Sequence, residues 1–170
     1  IIPGKDCDLI VSDGNALYEY TFEKEEVNKI LTWMDCDIDG SSVNKVFMDE
    51  NGTFYAVVSD YDTGSADLAE LTKVKTEEIA KRENIVIGVI YNDTELARRI
   101  VNFNKTNEQY RIKMKAYMDA NDWSEKSYSD AIANLTNDIS SGNGPDILDL
   151  SSLDIANLAN KGVLEDLTPY

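Results

Sequence analysis

The sequence predicts a mixed α+β chain: an antiparallel β-meander over residues 1–75, a linker at 76–84 and a βαβαβα parallel-sheet segment over 85–170. Two observations carry this expectation. Near Lys73–Asn84 the hydrophobic pattern changes, from short strand-like runs broken by turn residues to apolar strands alternating with helix-spaced stretches. The charge changes at the same place: residues 1–74 carry 16 acids and 5 bases, net −11, and residues 75–170 carry 16 acids and 11 bases, net −5.

In the first part, Leu9-Ile10-Val11 is a short apolar run ending in Asp13-Gly14-Asn15, a tight-turn signal. Leu17 to Phe22 is rich in aromatics and suits a second strand, and the charged cluster Glu23 to Glu26 marks the next turn. Val27 to Trp33 is a third strand. Val43 to Met48, Thr53 to Ser59 and Ala66 to Lys73 repeat the series around turns at Asp49-Glu50-Asn51-Gly52 and Tyr61-Asp62-Thr63-Gly64. Gly14 maps on Gly52 and Leu17-Tyr18 on Phe54-Tyr55, a shift near 38 residues. Antiparallel units repeating at about 40 residues are a propeller-like pattern; the alternative is an ordinary antiparallel sheet. In such a meander Cys7 and Cys36 fall at opposite ends of strands spanning about 20 Å. A disulfide tolerates roughly 7 Å between Cα atoms, so no bridge is expected.

In the second part, Ile85 to Ile90 is a continuous apolar run, as expected of a strand buried on both faces of a parallel sheet. Thr94 to Asn104 follows as a helix with Leu96, Ile100 and Phe103 on one side. Tyr110 to Ala116 alternates and reads as a strand with one wetter face. Asp122 and Glu125 make a capping-box pattern for a helix from Trp123 to Ser140. Its expected buried stripe is Tyr128, Ile132, Leu135 and Ile139, and Gly142 is its expected C′ residue. Asp146 to Leu150 is a third strand. Leu153 to Lys161 is a third helix, capped by Ser151 or Ser152 and ended by Gly162.

The 170 residues include no histidine, and 32 acids against 16 bases give a net charge of −16. Without His there is no Ser-His-Asp or Cys-His machinery and no imidazole base. The acidic excess disfavours nucleic acid, which is held by Lys and Arg on phosphates, and anionic membrane surfaces. At 42% hydrophobic the chain is not a disordered acidic tail. No apolar run is long enough for a transmembrane helix. The start, Ile1-Ile2-Pro3-Gly4-Lys5, reads as that of a mature protein or, more so, an excised piece.

Asp35-Cys36-Asp37-Ile38-Asp39-Gly40 matches the first six positions of an EF-hand loop, making Asp35, Asp37 and Asp39 a weak calcium candidate. The twelfth position is Val46, not Glu, and an acidic turn between sheet units is the expected reading. Trp33, Tyr55 and Tyr61 suit sheet packing better than a carbohydrate platform. Arg111, Lys113 and Lys115 form a basic stripe on one strand face, expected to be solvated or paired with neighbouring acids. No nucleophile motif, phosphate loop or CxxC is present, so neither an enzyme nor a bound cofactor is expected.

Ser141-Gly142-Asn143-Gly144-Pro145-Asp146-Ile147, followed by Lys161-Gly162-Val163-Leu164-Glu165-Asp166-Leu167-Thr168-Pro169, is the most specific stretch. With Ile85 to Ile90, Phe103-Asn104 and Ile112 to Ala116 before it, it resembles the extracellular solute-binding proteins of ABC importers, in the sugar-binding, maltose-binding-protein-like family. Residues 1–75 are similar to a propeller-like region that precedes the binding domain in some clostridial members, through Leu17-Tyr18, Ile30-Leu31-Thr32-Trp33 and Asp35-Cys36-Asp37. The resemblance implies that residues 84–170 form part of the first lobe of a periplasmic-binding-protein fold.

It also implies a carbohydrate ligand, ABC permease subunits as partners, and an extracellular lipoprotein anchored outside this chain. Ligands of open α/β sheets sit beyond the carboxyl ends of the strands. The loops expected there supply Tyr91, Asn92, Asp93, Trp123, Ser151, Ser152 and Asp154 as candidate ligand contacts, amides and acids for hydroxyls and aromatics for a sugar face. Asp93 or Thr94, and Ser151 or Ser152, also sit where helix N-caps belong. The family's pattern has an aromatic where Leu150 stands and a lysine where Thr94 stands. Alone, this chain is expected to bind sugar weakly or not at all, and to be open to self-association. The alternative reading is a structural or interaction module of a cell-surface lipoprotein without a transport role.

Overall fold

In a computed structural model of the chain, residues 1–60, 63–74, 82–118 and 122–170 are described. They form a mixed α/β fold with two antiparallel sheets, a small parallel sheet and three helices. The chain divides into two compact units, Ile1–Arg82 with Ala97–Thr106, and Glu83–Leu96 with Asn107–Tyr170.

In the first unit, β1 (Ile2–Pro3), β2 (Leu9–Ser12), β3 (Ala16–Thr21) and β4 (Glu26–Thr32) form one antiparallel sheet in chain order. β5 (Val43–Met48), β6 (Phe54–Asp60) and β7 (Ser65–Leu71) form a second, also in chain order. Both sheets turn on the same device. Asp13 Oδ1 accepts from the Asn15 and Ala16 N–H groups at 2.8 Å each, and Asp49 Oδ1 accepts from Asn51 and Thr53 at 2.9 and 2.8 Å. Gly14 (φ 90°) and Gly52 (φ 92°) supply the left-handed residue that each turn needs. The Thr53 N–H in particular holds the Asp49 carboxyl below its ordinary pKa. The next turn follows suit at Asp60 and Gly64; Tyr61 and Asp62, expected in it, lie outside the described residues.

The two sheets share one core. Ile10, Leu17, Trp33 and Ile38 pack with Ala56 of β6, and Val43, Val46, Phe54, Val58, Ala69 and Leu71 lean on them. Trp33, expected inside the third strand, lies just past β4 and is 0% exposed. Its Nε1 donates to Ser12 Oγ at 3.3 Å, and its carbonyl accepts from Cys36 and Ile38. Cys7 and Cys36 are free thiols. The register explains their separation: Leu9, Tyr20 and Val27 align at one end of the sheet, Ala16 and Thr32 at the other. Within this unit Arg82 donates to the Asn104 carbonyl at 2.6 Å and pairs with Asp37 at 3.6 Å.

In the second unit, β8 (Glu83–Val89) lies between β10 (Ile147–Leu148) and β9 (Tyr110–Ala116), parallel to both. Helices α1 (Thr94–Thr106), α2 (Glu125–Ser140) and α3 (Ile155–Asn160) follow β8, β9 and β10. Burial of β8 deepens along the strand; it is complete only at Gly88 and Val89, not on both faces throughout as its apolar run suggested. Three boundaries differ from expectation. α2 is capped by Ser124, whose Oγ accepts from Ser127, while Asp122 makes a turn onto the Ser124 N–H. α3 is capped by Asp154 rather than Ser151 or Ser152. β10 keeps two residues of the expected five, because Asp149 turns away to bind Ser151.

Both α2 and α3 end as expected, at Gly142 (φ 76°) and Gly162 (φ 67°). In each a paired set of backbone bonds, Gly142 to Ile139 with Asn143 to Asp138, and Gly162 to Ala159 with Val163 to Leu158, closes the last turn. Tyr128 leaves the expected buried stripe of α2 and is 42% exposed; Ala131 and Leu135 are its buried residues.

Pro145 explains why position 88 is glycine: a Cβ there would stand 2.5 Å from the Pro145 ring. Gly88→Ala is expected to lower the urea midpoint by an amount equivalent to about 1–3 kcal/mol, the cost of overpacking a close contact. An unchanged midpoint would contradict the seating of Pro145 on β8.

Candidate functional site

The chain steps from β8 to β9 on one side and returns to β10 on the other, so strand order reverses between β8 and β10. Loops leaving adjacent strands in opposite directions open a crevice at their carboxyl ends. The loop after β8 holds Tyr91, Asn92 and Asp93, and the loop after β10 runs from Asp149 to Asp154. The ladder extends past β9, with the Tyr117 N–H donating to Val89 and the Met118 N–H to Ile90.

The Tyr91 and Trp123 rings lie 5.8 Å apart at 46°, and both are exposed, Trp123 by 68%. Two tilted rings with open faces give an apolar surface for a flat ligand face. Asp93 Oδ1 accepts from the Leu96 N–H at 2.8 Å and so caps α1; Asp154 Oδ1 accepts from Asn157 at 3.1 Å and caps α3. Each carboxylate is thus fixed by a helix N-terminus, with its Oδ2 left to accept a hydroxyl. Asn92, next to Asp93 in the chain, is half-buried. Ser151 is not a cap: its N–H and hydroxyl both go to Asp149, at 2.9 and 3.0 Å. Ser152 offers its carbonyl to the Tyr128 hydroxyl at 2.7 Å. Asp154 faces a groove between α2 and α3, so it stands apart from the ring pair.

Two groups that the sequence did not single out hold this end of the sheet. Tyr128 anchors the loop after β10 through Ser152. Asp138 Oδ2, in the last turn of α2, accepts from the Lys115 ammonium at 2.6 Å and the Tyr117 hydroxyl at 2.7 Å, with Lys115 4.9 Å above the Tyr117 ring. Lys115 and then Tyr117 hold the Asp138 carboxyl below its ordinary pKa; Asp138 raises that of Lys115; burial chiefly raises that of Tyr117. Lys115 of the basic stripe is thus paired with an acid, one of the two expected arrangements. Neither group had a local signal, since the partners are 21 or more residues apart.

In the first unit the EF-hand-like carboxylates have separate partners. Asp35 accepts from Thr32, Asp37 pairs with Arg82, and Asp39 caps the turn Gly40–Ser42 through Ser41 and Ser42. Among the described residues no three His, Cys, Asp or Glu side chains are grouped to hold a metal. Trp33 is core, Tyr55 stacks on Phe47 at 5.2 Å, and Tyr61 lies outside the described residues. No helix among the described residues is long and apolar enough to cross a membrane. In comparisons with family models, curated proteins and solved structures, nothing matches the chain.

Asp138→Asn is expected to lower the urea midpoint at pH 7. Its folded-state pKa is depressed, so its contribution is present above the unfolded value of about 3.9 and is lost as pH falls through the folded value. The gap between variant and parent therefore narrows below about pH 4. A gap that persists unchanged in strong acid would rule out the ion pair as its source.

Proposed function

We propose that the protein is the solute-binding component of an ABC importer at the cell surface, and that its ligand is a neutral carbohydrate. The Tyr91–Trp123 ring pair beside Asp93, at the carboxyl ends of strands whose order reverses, carries the reading. A sugar presents an apolar C–H face to stack on rings and hydroxyls to donate to fixed carboxylate oxygens. Asp93 supplies such an oxygen, and Asn92 and Ser151–Ser152 add amide and hydroxyl groups nearby in the loops. A net charge of −16 suits a neutral ligand over an anionic one. In this reading the parallel-sheet unit belongs to the first lobe of a periplasmic-binding-protein fold, the β-rich unit consists of propeller-like blades, and an anchor outside this chain fixes the protein to the membrane. The work is capture and delivery to permease subunits, with no bond made or broken and no cofactor.

A second reading, an interaction module of a surface lipoprotein, draws on Val27 and Leu68, 60% and 62% exposed on the edge strands β4 and β7. Apolar edge residues of this kind favour contact with another chain.

The two tryptophans make the test direct, because Trp33 is 0% and Trp123 68% exposed. Titration with neutral disaccharides is expected to shift the red, exposed component of the emission, with Kd in the range of about 1 mM or weaker. Tyr91→Ala should weaken binding about tenfold, equivalent to about 1.4 kcal/mol. A disaccharide-induced shift that Tyr91→Ala leaves unchanged would overturn the ring pair as the carbohydrate site, and micromolar binding would contradict the weak binding expected of this chain alone.

A further inference from the structure

The first unit holds a cavity of about 350 Å³ that shares no residue with the crevice. It falls in the size range of small-ligand sites, about 300–1,000 Å³. Ile2, Ile10 and Leu17 wall it on the side of the first sheet, and residues 43–46 of β5 on the other. The pairing of β5 with β6 shifts register between Val43 and Lys45, and an irregularity of this kind lets consecutive residues line one cavity. β5 is hydrogen-bonded on one side alone, to β6. The other edge of β5 has no ladder partner among the described residues, and such an edge carries backbone N–H donors.

Lys45 is the one charged side chain lining the cavity among the described residues. It makes no ion pair among them, in a stretch of net −11 over residues 1–74. Apolar walls, the edge of β5 and the Lys45 ammonium together suit a ligand with an aliphatic tail and a single carboxylate.

We propose that this cavity binds a small amphipathic carboxylate, its tail among Ile2, Ile10, Leu17 and Val46 and its head on Lys45 and the β5 edge. The acidic surroundings do not forbid it. Repulsion from charges beyond about 8 Å is screened at physiological salt, while a charge-assisted hydrogen bond acts at contact. The proposal is independent of the carbohydrate reading, since the two sites share no residue.

The test is a titration of the ¹⁵N-labelled full chain with sodium octanoate, octan-1-ol and octylammonium. Octanoate is expected to move the amides of Ile10, Ser12 and residues 43–46, and to bind about tenfold more tightly than octanol, the worth of about 1.4 kcal/mol. Lys45→Met should erase that advantage and Lys45→Arg should keep it. Equal binding of octanoate and octanol would overturn the assignment, as would preference for octylammonium or shifts confined to other residues. Failure of octanoate to perturb these amides would do so as well. Folding of each variant is checked by far-UV circular dichroism and the urea midpoint.

Discussion

Asp146 accepts the Val86 N–H at 2.8 Å, and the Pro145 ring lies against Gly88. These two contacts hold β10, only two residues long, on the edge of β8. Two ladder positions alone would hold a strand weakly; the carboxylate adds a bond to the strand's amide, the ring adds apolar contact, and the Asp149 N–H to Gly88 carbonyl bond closes the other end at 2.9 Å. Without β10 the strand order would not reverse, and the loops of β8 and β10 would not face one another across a crevice. Pro145-Asp146-Ile147 is thus a fastener: each of its residues has a partner on β8.

The sequence made the elements more legible than their ends. The period of the apolar residues reveals strands at Val43–Met48 and Tyr110–Ala116 because alternation or an apolar run reports a face that will be covered. Caps are harder, since several Ser and Asp side chains compete within two or three residues. Asp154 wins over Ser151 and Ser152 because Asp149 has already taken the Ser151 N–H and hydroxyl. Ser124 wins over Asp122 in the same way, with Asp122 satisfied one turn earlier by the Ser124 N–H. Long-range partners such as Tyr128 with Ser152, or Asp138 with Lys115 and Tyr117, leave no mark in a single sequence. Of the site, the residue types and the loops could be read in advance. That Tyr91 and Trp123 would meet, and that Asp154 would stand in a separate groove, could not.

The acidity of the first unit also gains a cause. Three of its turns use an aspartate as backbone acceptor, at Asp13, Asp49 and Asp60, and each is followed by a glycine with positive φ. Asp39 does the same work before a short 3-10 turn. An ionised carboxylate is a better acceptor of N–H groups than a neutral oxygen, so these four of the 16 acids in residues 1–74 stand where the chain must turn sharply. The 38-residue spacing of Gly14 and Gly52 follows from reuse of that turn in two antiparallel sheets.

The central claim is that ligand is held at the carboxyl ends of β8 and β10. Amide-shift mapping of the ¹⁵N-labelled chain with a saturating neutral oligosaccharide tests it most directly. The account predicts perturbations gathered at Tyr91–Asp93, Trp123 and Ser151–Ser152, with the Trp33 indole N–H unmoved. Shifts gathered at the amino ends of the parallel strands, or within β1 to β7, would contradict it.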